Sequence, residues 1–261
     1  MGLRVAAIVV RHLFLYRRSL ARAGEVFFWP VMDLLVWGFL TRYLQEHEIP
    51  LGVGWLLGGV IFWDILYRSQ QAITLSLHEE IWVRNVLNVF LSPLSMGEYL
   101  LATSLMGIIK ATLTLAVLGS LAYLFYAFNI WTMGLALVPF VACLLLFGWA
   151  VGMVTMAIIL RYGQAAEALV WGVPFLLQPF SAVFYPLEAL PAGAQVFSRL
   201  LPSTYVFEGM RAALTTGAVE GRLLATAFLL DLIYLAFGAA FFAWMFRIVQ
   251  EKGYLSRLGM E

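Results

Sequence analysis

The chain has 261 residues, of which 63% are hydrophobic and only 12% are charged. A soluble domain carries about twice that share of charged residues, so the composition excludes an ordinary soluble domain and indicates a helical membrane protein. The net charge of +1 predicts no nucleic-acid partner. The single Cys143 excludes a disulfide framework and a thiolate metal site.

The first 24 residues (1–24) predict a basic amphipathic helix that lies in the membrane interface. Arg4, Arg11 and Arg18 recur every seven residues and therefore share one face of a helix. A basic face beside an apolar one is typical of helices that lie along a membrane surface. The alternative is a plain positively charged flank to the first span.

Six apolar stretches follow, each close to the roughly 20 residues that a helix needs to cross a bilayer. They lie near residues 26–44, 55–75, 99–125, 133–160, 167–185 and 223–246. The sequence therefore predicts an all-α membrane protein with six transmembrane helices in a single domain over residues 1–261. A short loop with Glu48 and Pro50 would join the first two spans.

Residues 78–95, between the second and third spans, are too polar to cross a membrane. They predict an amphipathic segment that Pro93 ends. Its apolar side would consist of Ile81, Trp82, Val86, Val89 and Phe90, and its polar side of Glu79, Glu80, Arg84 and Asn88.

Four prolines interrupt the fifth apolar stretch: Pro174, Pro179, Pro186 and Pro191. Proline removes a backbone donor and clashes with the preceding turn of a helix. Broken backbone at membrane depth is tolerated only where protein or a water-filled cavity covers it. We therefore expect a helix that enters the membrane, breaks near the far side and folds partly back, with a re-entrant outer segment at residues 186–221.

The distribution of basic residues predicts the orientation, because cytoplasmic loops are enriched in Lys and Arg. Ten of the sixteen basic residues lie in the N-terminal segment, residues 78–95, the turn at Arg161 and the tail that includes Arg257. Four lie in the opposite loops. Both termini and residues 78–95 are therefore predicted to be cytoplasmic, and the re-entrant segment to face outside.

Five ionisable residues fall within the predicted spans: Asp33, Asp64, Arg68, Lys110 and Asp231. Charge inside a bilayer is costly and usually faces the bundle interior in pairs. Asp64 and Arg68 are four residues apart and can pair on one helix face. Two interpretations stay open: structural pairing, which would also give Lys110 an aspartate on a neighbouring helix, and a polar path or proton relay.

Two further features also have two interpretations. Trp29, Phe180 and Phe184 are candidates for lining the route of an amphipathic substrate, although most aromatic residues in such chains pack against lipid. The Gly54/Gly58 and Gly148/Gly152 pairs match GxxxG, which allows close helix approach either inside one subunit or at a dimer contact.

The sequence contains no Ser/His/Asp or HExxH pattern and no GxxxxGK[ST] phosphate-binding loop. We therefore expect no catalytic, cofactor-binding or metal-binding residue in this chain. If nucleotide energises its activity, another chain must bind that nucleotide.

Together these features resemble the membrane subunit of ABC-2-type exporters. One similar stretch is LSPLSMGEYLLA at residues 91–102, which follows the amphipathic segment. The most specific are FSAVFYPLEALP at 180–191 and LPSTYVFEGMR at 201–211. They resemble the family's re-entrant segment, in which a proline-bounded aromatic turn precedes a proline, a tyrosine and a Glu-x-x-Arg ending. The resemblance covers essentially the whole chain, and Lys110 in mid-span departs from it.

The resemblance implies a transporter in a bacterial or archaeal cytoplasmic (inner) membrane. A second copy of the chain or a paralogous permease would complete it, and each would dock on a separate ABC ATPase subunit that holds ATP and Mg²⁺. Residues 78–95 would be the coupling segment, with contacts from His78, Glu79, Glu80, Ile81, Trp82, Arg84 and Val86. The outer segment would be a gate formed by Phe184, Tyr185, Pro186, Glu208 and Arg211. Such exporters move lipid-linked polysaccharides, lipids or hydrophobic drugs.

Two other classes remain as alternatives. An ion-gradient-driven secondary transporter or channel would use Asp33, Asp64, Lys110 and Asp231, but the two halves of the chain lack the inverted repeat that many such folds carry. An intramembrane enzyme or scaffold has no catalytic constellation to support it and no need for a broken fifth span.

Overall fold

The computed structural model describes residues 2–47 and 53–254. The predicted loop with Glu48 and Pro50 and the tail with Arg257 lie outside these residues. The ten α-helices of the described part are α1 (Gly2–Arg18), α2 (Leu20–Glu46), α3 (Val53–Trp82), α4 (Val86–Leu91), α5 (Met96–Tyr126), α6 (Leu137–Tyr162), α7 (Ala168–Leu177), α8 (Ala192–Ser198), α9 (Pro202–Thr216) and α10 (Gly221–Glu251). Short 3-10 helices lie at Ile130–Ala136, Gly163–Ala166, Gln178–Ser181 and Leu187–Ala189. No strand occurs within the described residues, so the predicted all-α class is confirmed.

Three stretches of helix in the described residues are long and apolar enough to cross a membrane: Met96–Tyr126, Ile130–Tyr162 and Gly221–Glu251. Helices α2 and α3 have 27 and 30 residues, so they also have the length of a crossing, but they carry more polar side chains. Helix α7 has 10 residues. At about 15 Å it is too short for a bilayer core of roughly 30 Å. The six-span arrangement therefore stays a prediction.

Helix α3 lies at the centre of the bundle and packs against α2, α5 and α6. Several of its polar side chains are buried and hydrogen-bonded, which lowers the cost of burying them. The Ser69 hydroxyl donates to the Leu145 carbonyl of α6 at 2.8 Å, and the Thr74 hydroxyl donates to the Gln70 carbonyl at 3.0 Å. This polar interior explains why α3 is less apolar than α5, α6 and α10 although it is more deeply enclosed.

Both GxxxG pairs are used for packing inside the chain. A Cβ atom on Gly148 of α6 would lie 2.6 Å from the Ser69 Cβ of α3, closer than real side chains approach. A Cβ atom on Gly58 would lie 3.0 Å from the Met210 sulfur of α9. The glycines therefore let α3 approach its neighbours within the subunit, which is the first of the two interpretations.

The N-terminal segment forms two helices and not the one that was predicted over residues 1–24. Helix α1 ends at Arg18, and Ser19 caps the start of α2, where its hydroxyl accepts from the Arg22 amide at 3.4 Å. A serine side chain satisfies a free backbone donor at a helix start, which favours a new helix there. Helix α1 buries Val5 and His12 and packs against α5 and α2.

Candidate functional site

A turn at residues 178–187, here called the proline turn, separates α7 from the helices that follow. Gln178–Ser181 forms a 3-10 helix, and Ala182 then adopts a left-handed conformation with φ of 52°. That conformation is uncommon for a residue with a side chain and ends helical geometry. The chain therefore breaks after Leu177, within the stretch where the prolines predicted a break. Pro174 itself lies inside α7 and is buried.

Arg211 of α9 holds the proline turn in place through hydrogen bonds. Its side chain is 4% exposed and donates to the Ala182 carbonyl at 2.8 Å and to the Val183 carbonyl at 3.4 Å. It also pairs with Glu208 at 2.8 Å, and the same Glu208 oxygen accepts from the Leu187 amide at 2.7 Å. The Glu-x-x-Arg motif thus holds the proline turn at Ala182, Val183 and Leu187 through charge-assisted hydrogen bonds.

Further contacts fix the turn to its surroundings. The Ser181 and Ser203 hydroxyls share a hydrogen bond of 2.8 Å, and the Tyr185 hydroxyl donates to the Pro179 carbonyl. On the other side, a Cβ atom on Gly59 of α3 would lie 2.7 Å from the Val183 carbonyl oxygen. Only glycine lets α3 approach the turn this closely.

A cavity of about 610 Å³ lies between α2, α3, α7 and the proline turn. Polar side chains on its wall are Asp33, Asp64, Arg68, Gln71 and Gln178. The rest is dominated by aromatic rings, namely Trp29, Trp37, Trp63, Tyr67, Trp171, Phe175 and Phe184. An apolar, aromatic cavity with a few polar groups is typical of a site for an amphipathic small molecule.

The proline turn contributes Phe184 to the wall of this cavity. The Phe184 ring stacks on Trp37 of α2, with centroids 4.0 Å apart and an interplanar angle of 18°. The Trp29 side chain is 61% exposed, so the cavity also opens at the surface of the chain. Of the three aromatic residues expected along a substrate route, Trp29 and Phe184 line the cavity, whereas Phe180 packs against Phe197 at 4.9 Å.

The five intramembrane ionisable residues occupy three different places. Asp64 and Arg68 form the expected pair, with 3.3 Å between Oδ2 and Nε, and line the cavity together with the more exposed Asp33. The Lys110 amino group lies 4.6 Å from the centre of the Tyr16 ring of α1. Asp231 is fully buried beside Cys143 of α6.

The predicted coupling segment at residues 78–95 is divided between the end of α3, a turn and the short helix α4. His78, Glu79, Glu80, Ile81 and Trp82 belong to the last turns of α3, which ends in a turn with Arg84 at φ of 56°. The assignment of sides was partly wrong. Glu80 is buried rather than on a polar surface, and Trp82 is 55% exposed rather than on the apolar side with buried Ile81 and Val86.

Ion pairs with α1 and α2 explain the burial of this acidic turn. Arg11 of α1 binds Glu80 at 2.5 Å, and Arg22 of α2 binds Glu79 at 3.5 Å. The pKa of Arg11 is raised, chiefly by its hydrogen bond to Glu80. Burial of Glu80 is tolerated because its charge is compensated. Arg11 and Arg22 thus contact the end of α3, which the seven-residue repeat of arginines did not predict.

Sequence reasoning also missed several residues of the cavity, including Trp37, Trp63 and Trp171. One signal was available: Trp29, Asp33 and Trp37 recur every four residues and must share a face of α2. The contributions of α3 and α7 could not be found this way, because their side chains meet α2 only through tertiary packing.

The described residues form a helical bundle with three helices able to cross a membrane and an aromatic cavity beside a broken helix, which is the architecture of a membrane protein. Comparison with protein families matches residues 7–215 to the ABC-2 type transporters. The chain belongs to this family and is a permease component of a transporter. A comparison with curated proteins found no match.

Proposed function

We propose that this chain is the membrane subunit of an ATP-driven exporter that moves an amphipathic or lipid-linked substrate outward across the cytoplasmic membrane. A separate ABC ATPase subunit would bind ATP and Mg²⁺, and two membrane subunits would form the transporter. The observation that carries this proposal is the aromatic cavity that includes Phe184 in its wall, in a chain of the ABC-2 family.

In this proposal the proline turn is the gate. Phe184 and Trp37 would separate to let substrate leave the cavity, while Tyr185 and Pro186 shape the turn. Arg211 and Glu208 would set the resting position, since their hydrogen bonds hold Ala182 and Leu187. The fifth crossing would combine the short α7 with this turn, which keeps its broken backbone covered by α3 and α9.

The end of α3 is the proposed contact with the ATPase. Trp82, Val83 and Arg84 are exposed at the tip of the turn, and Trp82 and Val83 are 55% and 61% exposed. Two adjacent apolar side chains beside a cation suit a protein interface, because aromatic residues and arginine dominate such contacts. The half-buried Glu79 and the buried Glu80 would act by holding the tip to α1 and α2.

The six-span topology with cytoplasmic termini fits this arrangement. The tip of α3 and the proline turn lie toward opposite ends of α3. The proposed mechanism requires this, because the ATPase would act on the tip from the cytoplasm and the substrate would leave past the turn on the outer side. The competing ion-gradient mechanism needs Asp33, Asp64, Lys110 and Asp231 along one path. Lys110 and Asp231 are not part of the cavity wall, which favours the ATP-driven proposal.

Co-expression with a candidate ABC ATPase subunit tests the proposal. We expect the two proteins to purify together and, in liposomes, to transport substrate only with hydrolysable ATP. Trp82→Ser should abolish co-purification. Trp244→Ser changes a tryptophan of equal exposure (54%) in α10 and should leave it intact. A purified chain that binds no ATPase and transports under an ion gradient alone would overturn the proposal.

A further inference from the structure

One face of α2 presents a carboxylate between two indole rings. Trp29, Asp33 and Trp37 follow each other at intervals of four residues, and all three line the cavity. Side chains with this spacing stack along one helix face, about one turn apart. Asp33 is exposed to the cavity opening, so a bound molecule would meet its carboxylate directly.

The charges on the cavity wall do not cancel. The charged side chains among its lining residues are Asp33, Asp64 and Arg68. Arg68 is occupied by Asp64 at 3.3 Å, and both side chains are less than 10% exposed. The Asp33 carboxylate makes no hydrogen bond or ion pair with any residue in the described ranges 2–47 and 53–254. The wall therefore carries one surplus negative charge at its accessible side.

We infer that the cavity binds a hydrophobic organic cation, with the positive centre at Asp33 and between the indole rings of Trp29 and Trp37. As a statement about the transported substrate, this rests on the function proposed above. Indole faces attract cations through the ring quadrupole, and the attraction strengthens where water is excluded. The other rings of the wall, such as Trp63, Trp171 and Phe175, would pack against the apolar body of the ligand.

An anionic or neutral amphipath fits the same wall less well. An anion would face the Asp33 carboxylate, while the compensating Arg68 is already paired with Asp64. A neutral ligand would remove water from Asp33 without supplying a counter-charge, which is unfavourable for a buried carboxylate. Charge complementarity thus selects the cation among molecules of similar shape.

Two isosteric probes of opposite charge, tetraphenylphosphonium and tetraphenylborate, test this inference. Binding to the 261-residue chain in phosphatidylcholine nanodiscs is measured by equilibrium dialysis, with uptake by empty nanodiscs subtracted. We expect the cation to bind at least about tenfold more tightly than the anion, the scale of one favourable charge contact. If the unsubstituted chain binds both probes equally, or binds the anion more tightly, the inference is overturned.

Variants locate the site. Asp33→Asn should weaken binding of the cation about tenfold and remove the preference over the anion. Glu46→Gln removes the same charge from the end of α2 and should change nothing. Trp29→Leu should also weaken cation binding, whereas Phe39→Leu, which alters an equally exposed ring outside the cavity wall, should not. Charge preference that survives Asp33→Asn would show that the cation binds elsewhere.

The same measurement separates this inference from the function it refines. Because binding is measured without ATPase and nucleotide, it does not depend on energy coupling. ATP-driven transport of a neutral lipid, together with no preference for the cation, would overturn the inference and leave the export function standing. Selective cation binding that Asp33→Asn abolishes supports the site even if no ATPase couples to the chain, in which case only the export function fails.

Discussion

Arg211→Met is expected to release the proline turn. Methionine keeps an unbranched apolar stem but removes the donors that reach the Ala182 carbonyl and Glu208, each at 2.8 Å. A hydrogen bond from a charged group contributes about 1.5–3 kcal/mol, so two such bonds predict a loss of about 3–6 kcal/mol. The lower end applies because Glu208 is 25% exposed and keeps its bond to the Leu187 amide.

A loss of about 3 kcal/mol should increase the detached fraction of the turn by about two orders of magnitude. Val183 is fully buried, so a cysteine at this position reports detachment through its labelling by a membrane-impermeant maleimide. In a Cys143→Ala background, Val183→Cys should be labelled about 100-fold faster when Arg211→Met is added. Transport should fall while assembly with the ATPase is retained.

Arg199→Met provides the matched control for this experiment. Arg199 is an exposed arginine of the same segment, and its guanidinium donates to Gln195 Oε1 at 3.4 Å. Its replacement should leave the labelling rate unchanged. An unchanged rate in Arg211→Met would refute the anchoring role. Loss of ATPase assembly in Arg211→Met would show that the segment is structural and would refute the gate.

Three further perturbations test other contacts. Gly59→Ala should destabilise the chain by about 1–3 kcal/mol in thermal unfolding, because its Cβ would lie 2.7 Å from the Val183 carbonyl oxygen. Gly172→Ala, which has open space, should be tolerated, and equal losses in the two variants would contradict the close approach. Reversing the Arg11–Glu80 pair by a double substitution should recover part of the roughly 1–3 kcal/mol lost in each single variant, whereas additive losses would show that the two residues do not interact. Burial lowers the pKa of His12, so the folded state favours the neutral ring. Its contribution to stability should be complete above about pH 6.5 and decline as the pH falls toward the lowered folded-state pKa. His12→Gln should flatten that decline in unfolding measurements, and an unaltered pH profile would contradict the assignment.

Local spacing was enough to predict several features of the site. Asp64 and Arg68, four residues apart, pair as expected. The same kind of spacing accounts for the pair of Glu208 and Arg211, three residues apart, although that pair was not predicted. The prolines placed the break in the fifth apolar stretch, because proline acts on the turn of helix that contains it. These features depend on residues within one helical turn of each other, and such spacings can be read directly from the sequence.

Contacts between distant parts of the chain were not predictable in the same way. Glu80 looked like a surface residue by periodicity, yet Arg11 of another helix compensates its charge and allows its burial. Phe180 and Phe184 are four residues apart, but the left-handed Ala182 between them sends only Phe184 to the cavity. Helical periodicity stops at such a residue, so a face assigned before it does not continue beyond it.

In the proposed function, helix α3 would link the ATPase contact to the proline turn. It runs without a proline from Val53 to Trp82, with Gly59 against the proline turn and Trp82 at the opposite tip. At 1.5 Å per residue these two positions are about 35 Å apart along one axis. Helices α2, α5 and α6 pack against α3 and oppose its bending. A displacement of the tip by the ATPase should therefore move α3 as one rigid body rather than bend it. The proline turn would then move by about the same distance as the tip of α3, as long as the helix does not bend.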